Sequence, residues 1–189
     1  MIVYLHGFSS AATSHKANLL KQALAPIKFF IADYPSHQPR AAIQSAIQYI
    51  GQTLEKHNQQ QITLIGSSLG GYYAQYLGAT LDVVQKVILI NPALQPQHTL
   101  KPYVGQNINM VTGKPFVFSE QDFDDLTEYD IALADVKTPT LVLLDAGDEI
   151  IDYRVAAKRY NDIGRVVIYP DGSHQFEHID QAVVEIAMF

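Results

Sequence analysis

The segment Leu64-Ile65-Gly66-Ser67-Ser68-Leu69-Gly70-Gly71 decides how this chain of 189 residues folds. An apolar run stops at Gly66, the residues from Gly66 to Gly70 fit the pattern Gly-x-Ser-x-Gly, and a helical pattern follows at once. In such a turn between strand and helix, a serine hydroxyl stands clear of the backbone. The turn is so tight that the positions two residues before and after the serine favour glycine. The segment therefore predicts a nucleophile elbow at Ser68.

A plainer interpretation remains open, in which Ser67 and Ser68 only cap a helix in a parallel-sheet protein. The elbow frame itself fits Ser68 alone, because centring it on Ser67 would need glycine at Ile65 and Leu69. A phosphate-binding loop is a third interpretation of the glycines. The lysine that such a loop needs is absent after Gly70-Gly71, which argues against it.

Composition limits the class of protein. Hydrophobic residues make up 48% of the chain, the formal net charge is −6, and there is no cysteine. The acidic balance argues against a nucleic-acid or anionic-membrane surface. Without cysteine there are no disulfides, thiolate metal sites or cysteine nucleophiles, and we expect neither metal nor cofactor. The first seven residues lack a basic leader, and no segment approaches the roughly 20 apolar residues of a membrane span. We expect a single cytoplasmic domain, residues 1–189.

Short apolar runs alternate with helical patterns along the chain. The runs lack polar alternation, which is typical of parallel strands covered on both faces. The predicted strands are 2–5, 28–32, 62–65, 87–90, 140–144 and 166–169. The predicted helices lie near 14–25, 40–55, 69–81, 153–160 and 179–187. This order predicts an α/β fold with a mainly parallel sheet of about six strands and helices on both faces.

One long excursion interrupts this alternation, from residue 91 to residue 138. Excursions of that length between core strands are uncommon as bare loops, so we expect a small cap or lid. It contains a helix-like acidic piece at 119–134. Its aromatic residues Phe116, Phe118 and Phe123 are either ordinary packing residues or walls of a substrate pocket.

An elbow serine needs a base, an orienting acid and an oxyanion hole. In α/β-hydrolases the acid and then the histidine follow the serine, each on a loop after a strand. Asp148 follows the predicted strand 140–144, with Glu149 as its nearest rival and Asp145 expected too close to the strand end. His174 follows the strand 166–169, whereas His178 is expected at the start of the next helix.

Two backbone N–H groups are candidates for the oxyanion hole. One belongs to Leu69, directly after the nucleophile, and the other to Phe8 in the loop after the first strand. Gly7 lets the backbone of that loop approach closely. His6 is expected to brace the loop rather than to take part in the chemistry.

Several blocks of residues together resemble the YqiA-like esterases, which are small bacterial α/β-hydrolases. The blocks are Leu5-His6-Gly7-Phe8, Gly66-Ser67-Ser68-Leu69-Gly70-Gly71-Tyr72-Tyr73, Asn91-Pro92-Ala93, Gly105-Gln106-Asn107, Thr112-Gly113, Gly147-Asp148-Glu149 with Asp152-Tyr153-Arg154, and Gly172-Ser173-His174. The resemblance spans the chain from Leu5 to the C-terminal helix. It implies an α/β-hydrolase core and esterase activity, with Ser68, Asp148 and His174 at the triad positions. The chain lacks room for the two antiparallel strands that open larger members of the fold.

The expected function is hydrolysis of a small-molecule carboxylic ester through an acyl-enzyme. A small cap, closed by the three phenylalanines, predicts short acyl groups of about two to four carbons, and the acidic surface disfavours coenzyme A thioesters. A thioesterase or another acyl hydrolase is the nearest alternative. A non-catalytic binding module on the same fold is the alternative from a different class.

Overall fold

The computed structural model describes all of residues 1–189. Its strands are β1 (Ile2–Leu5), β2 (Phe29–Ile31), β3 (Ile62–Ser67), β4 (Val84–Ile90), β5 (Gly105–Ile108), β6 (Pro115–Phe118), β7 (Thr140–Asp145) and β8 (Arg165–Tyr169). Its α-helices are α1 (His15–Ala23), α2 (Pro39–His57), α3 (Leu69–Thr80), α4 (Pro96–Leu100), α5 (Glu120–Asp125), α6 (Tyr153–Tyr160) and α7 (Ile179–Met188).

Six of the strands form one sheet in the order β2-β1-β3-β4-β7-β8, and every pair in it is parallel. The prediction of a six-stranded parallel sheet is confirmed. The strand β4 begins three residues earlier than its apolar run indicates. The strand β3 continues to Ser67, so it ends directly at the predicted nucleophile.

The two faces of the sheet carry separate hydrophobic clusters, since successive strand residues point to opposite sides. Leu64 and Leu89 belong to a cluster of 28 buried residues that includes side chains of α2, α3 and α6. Ile65 and Ile88 belong to a cluster of 15 buried residues that includes side chains of α1 and α7. Helices therefore cover both faces, as the unbroken apolar runs predict.

The excursion between β4 and β7 contains α4, an antiparallel hairpin of β5 and β6, and α5. The sequence pattern did not predict the hairpin. The predicted acidic helix at 119–134 is shorter: Ser119 and Asp122 form a capping box at the start of α5, and two 3₁₀ turns follow at Leu126–Tyr129 and Leu133–Asp135. Phe118, Leu126 and Tyr129 pack into the larger cluster, which anchors the excursion to the sheet.

None of the helices combines the length and the apolar character that crossing a membrane would require.

Candidate active site

The turn between β3 and α3 holds Ser68 in a strained conformation, with φ 55° and ψ −124°. A residue other than glycine in this region of φ and ψ carries a strain on the order of 1–3 kcal/mol, and the conformation persists only where the surrounding structure imposes it. Two neighbours do so: the Ser68 N–H donates to the Ile90 carbonyl (3.1 Å), and the Ala93 N–H donates to the Ser68 carbonyl (3.0 Å). The Ser68 side chain makes no capping hydrogen bond to α3. Ser68 therefore occupies the N-cap position of α3, but its hydroxyl does not cap the helix.

The glycines on either side of Ser68 are required by close backbone contacts. A Cβ atom on Gly66 would lie 2.2 Å from the Gly70 carbonyl oxygen, and one on Gly70 would lie 2.2 Å from the Leu5 carbonyl oxygen. The expected collision across the turn therefore accounts for Gly66. Gly70 is needed for a different reason, which is the end of β1 packed against the start of α3.

His174 lies in the loop after β8 and points its ring at the elbow. Its Nε2 is 3.1 Å from the Ser68 Oγ, and its Nδ1 is 2.9 Å from Oδ2 and 3.1 Å from Oδ1 of Asp148. The Asp148 side chain is 1% exposed and that of His174 is 14% exposed. The structure thus brings Ser68, His174 and Asp148 into one continuous chain of hydrogen bonds. With a proton on Nδ1 towards Asp148, Nε2 is free to accept the serine proton.

Two neighbouring carboxylates contact His174 in different ways. Asp148 faces the ring, and its Oδ1 also accepts the N–H groups of Ile150 (2.9 Å) and Ile151 (2.8 Å), which fix its orientation. Glu149 instead accepts the backbone N–H of His174 at 2.9 Å. That hydrogen bond lowers the pKa of the exposed Glu149 carboxyl. The geometry therefore favours Asp148 over Glu149 as the residue that orients the imidazole.

A second acid–histidine pair lies behind the first, and the sequence pattern did not predict it. Asp145 is fully buried at the end of β7, and its Oδ1 is 2.8 Å from Nδ1 of His178. Its Oδ2 accepts the N–H groups of Ser173 (3.3 Å) and Glu177 (2.7 Å). Asp145 therefore clamps both ends of the loop that carries His174. The available signal was an aspartate that ends an apolar strand, but its partner lies 33 residues away.

The two predicted oxyanion donors, Phe8 and Leu69, border the same cleft as Ser68. Neither backbone N–H donates a hydrogen bond within the protein, so both are free to bind an anionic oxygen. A Cβ atom on Gly7 would lie 2.9 Å from the Ser68 Cβ, so only glycine allows this approach. The loop is braced by the Tyr34 hydroxyl, which donates to the His6 carbonyl at 2.5 Å. The buried His6 ring packs 4.5 Å from the Tyr34 ring, and desolvation lowers the pKa of His6.

The cleft above Ser68 has a volume of about 2130 Å³. Phe116 lines it together with Phe8 and with Ile108 and Met110 of the hairpin region. Phe118 does not line it: its side chain is 0% exposed and its ring lies edge-on to that of Phe8. Phe123, which packs edge-on to Phe118 beneath it, does not line it either. The prediction of pocket walls therefore does not hold for these two residues, which pack into or against the larger hydrophobic cluster.

No three side chains of His, Asp or Glu lie close enough together to hold a metal ion. The groups that converge on the cleft are the serine hydroxyl, the imidazole and the free N–H groups. These can bind an acyl group, accept a proton and stabilise an oxyanion.

Comparison with solved structures identifies the class of fold. The chain is similar to Est1E from Butyrivibrio proteoclasticus, with a TM-score of 0.78 and 15% identity over 99% of this chain and 86% of that one. It is also similar to a monoacylglycerol lipase from Paleococcus ferrophilus, with a TM-score of 0.72 and 16% identity over 99% and 92%. The fold is that of the α/β-hydrolases.

Comparison of sequences identifies the family. The model of the family described as "Uncharacterised protein family (UPF0227)" matches residues 1–189, so the chain belongs to UPF0227. A UPF0227 protein of Vibrio vulnificus is 24% identical over 192 residues, covering 100% of this chain and 98% of the relative. The YcfP protein of Salmonella gallinarum is 23% identical over 189 residues, with the same coverage. The resemblance to YqiA-like proteins is thereby confirmed.

Proposed function

We propose that this protein is a serine hydrolase that cleaves carboxylic esters through an acyl-enzyme intermediate. The observation that carries the proposal is the hydrogen-bond chain from Ser68 Oγ through His174 to Asp148, with distances of 3.1 and 2.9 Å. These distances lie within the range that nucleophile activation by a neighbouring base requires. The strained φ of Ser68 supports the proposal, since strain of this kind clusters at active sites.

In the proposed reaction the Ser68 oxygen attacks the ester carbonyl while His174 Nε2 accepts the hydroxyl proton. The N–H groups of Phe8 and Leu69 stabilise the oxyanion of the tetrahedral intermediate. His174 then gives its proton to the departing alkoxide, which leaves as the alcohol. A water molecule attacks the acyl-enzyme with the same base, and the acid product is released. Asp148 keeps the imidazole in the correct tautomer throughout.

An ester rather than another acyl substrate is supported by the matched proteins, one of which is named as a monoacylglycerol lipase. The formal net charge of −6 acts in the same direction, because it repels anionic leaving groups such as coenzyme A. The same fold serves many acyl hydrolases, so the residues of the site carry this proposal and the fold does not.

The size of the cleft changes the expected acyl group. The prediction of two to four carbons assumed that Phe116, Phe118 and Phe123 close a short pocket, but only Phe116 borders the cleft. Ligand pockets commonly measure roughly 300–1,000 Å³, and this cleft extends along the hairpin to Ile108 and Met110. We therefore include esters with acyl groups longer than four carbons among the proposed substrates.

The test is a panel of p-nitrophenyl esters and acyl-CoA thioesters of graded chain length, assayed with the wild type and with Ser68→Ala. We expect hydrolysis of the esters, with kcat/KM rising from two carbons to at least eight by roughly two- to fourfold for each buried methylene. Ser68→Ala should lower kcat by roughly 10⁴ or more, because binding and oxyanion donors survive without the nucleophile.

Two results would contradict the proposal. Absence of turnover on the whole panel would leave a binding module on a hydrolase fold. A strong preference for acyl-CoA would make the protein a thioesterase instead. A maximum of kcat/KM at two to four carbons would restore the short pocket and remove the extension to longer chains.

A further inference from the structure

A lysine from a third element reaches the back of the proposed active site. Lys16 is the second residue of α1 and lies half-buried at the floor of the cleft. Its Nζ donates to the Ser67 Oγ at 2.9 Å and to the His174 carbonyl oxygen at 3.3 Å. One ammonium therefore joins the residue before the nucleophile to the proposed base itself.

These contacts complete the support of His174. Its ring is held by Asp148, and its backbone N–H is held by Glu149. Lys16 is the side chain that holds its carbonyl, and it does so while holding Ser67. The distance between Ser68 Oγ and His174 Nε2 is set by how the elbow and the histidine loop are placed relative to each other. Lys16 is the one side chain that donates hydrogen bonds to both.

The ammonium lies among several titratable and charged groups, which come from the elements around it. They are Tyr4 on β1, which shares the Ser67 hydroxyl with Lys16, Asp145 at the end of β7, Asp148 in the loop after it, and His174 in the loop after β8. Glu177 and Asp180 border the same cleft. Desolvation lowers the pKa of Lys16 from 10.5 to about 8, against the attraction of Asp148 and Asp145, which raises it. Burial raises the pKa of Tyr4 well above its usual range, so that hydroxyl stays neutral.

We propose that Lys16 is a positioning residue for the Ser68–His174 pair, acting through hydrogen bonds from its ammonium to Ser67 and to the His174 carbonyl. This inference rests on the proposed function. Hydrogen bonds from a charged donor are roughly twice as strong as those from a neutral one. Below a pH of about 8 the ammonium holds both loops. Above that pH the neutral amine holds them less firmly, so reactivity of Ser68 should fall as the pH rises.

The experiment measures the rate at which diethyl p-nitrophenyl phosphate phosphorylates the full-length protein, read as the burst of p-nitrophenol from pH 6 to pH 10. Each protein molecule reacts once, so the burst reports formation of the phosphoserine adduct and is not limited by release of a product. The variants are Lys16→Met, Lys16→Arg and Ser67→Ala. Lys21→Met is the matched control, because Lys21 is exposed on the same helix and does not border the cleft. Thermal unfolding of each variant monitors folding.

For the wild type we expect the rate to fall above a pH of about 8, where Lys16 loses its proton. Lys16→Met should react roughly ten- to hundredfold more slowly below that pH, the change expected for a lost hydrogen bond from a charged group, and should show no alkaline fall. Lys16→Arg should recover part of the rate and also lack the alkaline fall, because a guanidinium keeps its proton. Ser67→Ala should lose less and keep the alkaline fall.

A rate and pH profile of Lys16→Met equal to those of the wild type would overturn the inference while leaving Ser68 as a reactive nucleophile. So would an alkaline fall that persists in both Lys16 variants, or a loss in Lys21→Met as large as in Lys16→Met. If Lys16→Met fails to fold, Lys16→Arg and Ser67→Ala carry the test. A wild type that never reacts would overturn the proposed function and this inference together.

Discussion

Asp148→Asn is the substitution whose effect follows most directly from the geometry. The introduced amide would keep one oxygen for the N–H groups of Ile150 and Ile151, which now donate to the Asp148 Oδ1. Its NH₂ group would then take the place of Oδ2, the atom 2.9 Å from His174 Nδ1. An amide NH₂ only donates, so the closer contact, at 2.9 Å, would require Nδ1 to accept and the ring proton to lie on Nε2, against the longer 3.1 Å contact of Nδ1 with the retained oxygen. In that tautomer His174 cannot accept the proton of Ser68.

The expected loss in kcat is about 10⁴, the cost of the same amide substitution where a triad aspartate orients its histidine. This corresponds to about 5.4 kcal/mol at about 1.36 kcal/mol for each factor of ten. Folding should change little, because the substitution keeps the shape of the side chain and both backbone hydrogen bonds. The assay is ester hydrolysis under saturating substrate, with thermal unfolding in parallel.

Glu149→Gln is the matched control, since the two carboxylates are adjacent. The glutamine keeps an oxygen for the backbone N–H of His174, which now lies 2.9 Å from the Glu149 Oε2. Its kcat should stay within about threefold of the wild type, because the His174 N–H keeps an acceptor and the His174 ring keeps its contact with Asp148. A large loss in Glu149→Gln with near-normal turnover in Asp148→Asn would refute the assignment of the orienting acid.

Five further substitutions test three separate parts of the structure. Gly70→Ala should lower the free energy of unfolding by about 3 kcal/mol or more, because its Cβ would lie 2.2 Å from the Leu5 carbonyl oxygen. Gly51→Ala is the control, since Gly51 has open space around it in α2. In the same thermal melt it should raise the free energy of unfolding by about 0.5–1 kcal/mol. His178→Ala should lower the free energy of unfolding by about 1–3 kcal/mol, because Asp145 loses a hydrogen-bond partner. The pH profile of hydrolysis should not change. Loss of activity in His178→Ala but not in His174→Ala would make His178 the base. Phe118→Ala should destabilise the fold by about 3–5 kcal/mol, because it leaves a cavity in the core. Phe116→Ala should chiefly raise KM for longer esters. The opposite pattern would indicate that Phe118, and not Phe116, borders the cleft.

The features that could be predicted from sequence are those that depend on local patterns. The apolar runs located all six strands of the main sheet, because strands covered on both faces need apolar residues at every position. Gly66 could be predicted because a side chain there would collide across the tight turn, whereas the contact that requires Gly70 comes from Leu5 on β1. The order of the serine, acid and histidine loops follows from strand order, since the carboxyl ends of parallel strands meet at one edge of the sheet.

The features that could not be predicted depend on contacts between distant residues. The hairpin of β5 and β6 has strands of four residues, too short for a clear alternation. Phe116 and Phe118 look equivalent in sequence and both pack edge-on to Phe8, but only Phe118 is fully buried and packs against Phe123. Lys16 lies 51 residues from Ser67 and 158 from His174. Nothing around it in the sequence distinguishes it from an exposed helix lysine.

The central claim is that Ser68 is the nucleophile, and covalent labelling with a fluorophosphonate tests it most directly. The label is located by mass spectrometry of the intact protein and of its peptides, in the wild type, Ser67→Ala and Ser68→Ala. Ser67 and Ser68 are adjacent and fall in the same peptide, so the mass of that peptide does not distinguish them. The two variants do. We predict a single adduct on Ser68 in the wild type and in Ser67→Ala, and none in Ser68→Ala. An adduct on Ser67, equal labelling of Ser68→Ala, or an unlabelled wild type would contradict the account.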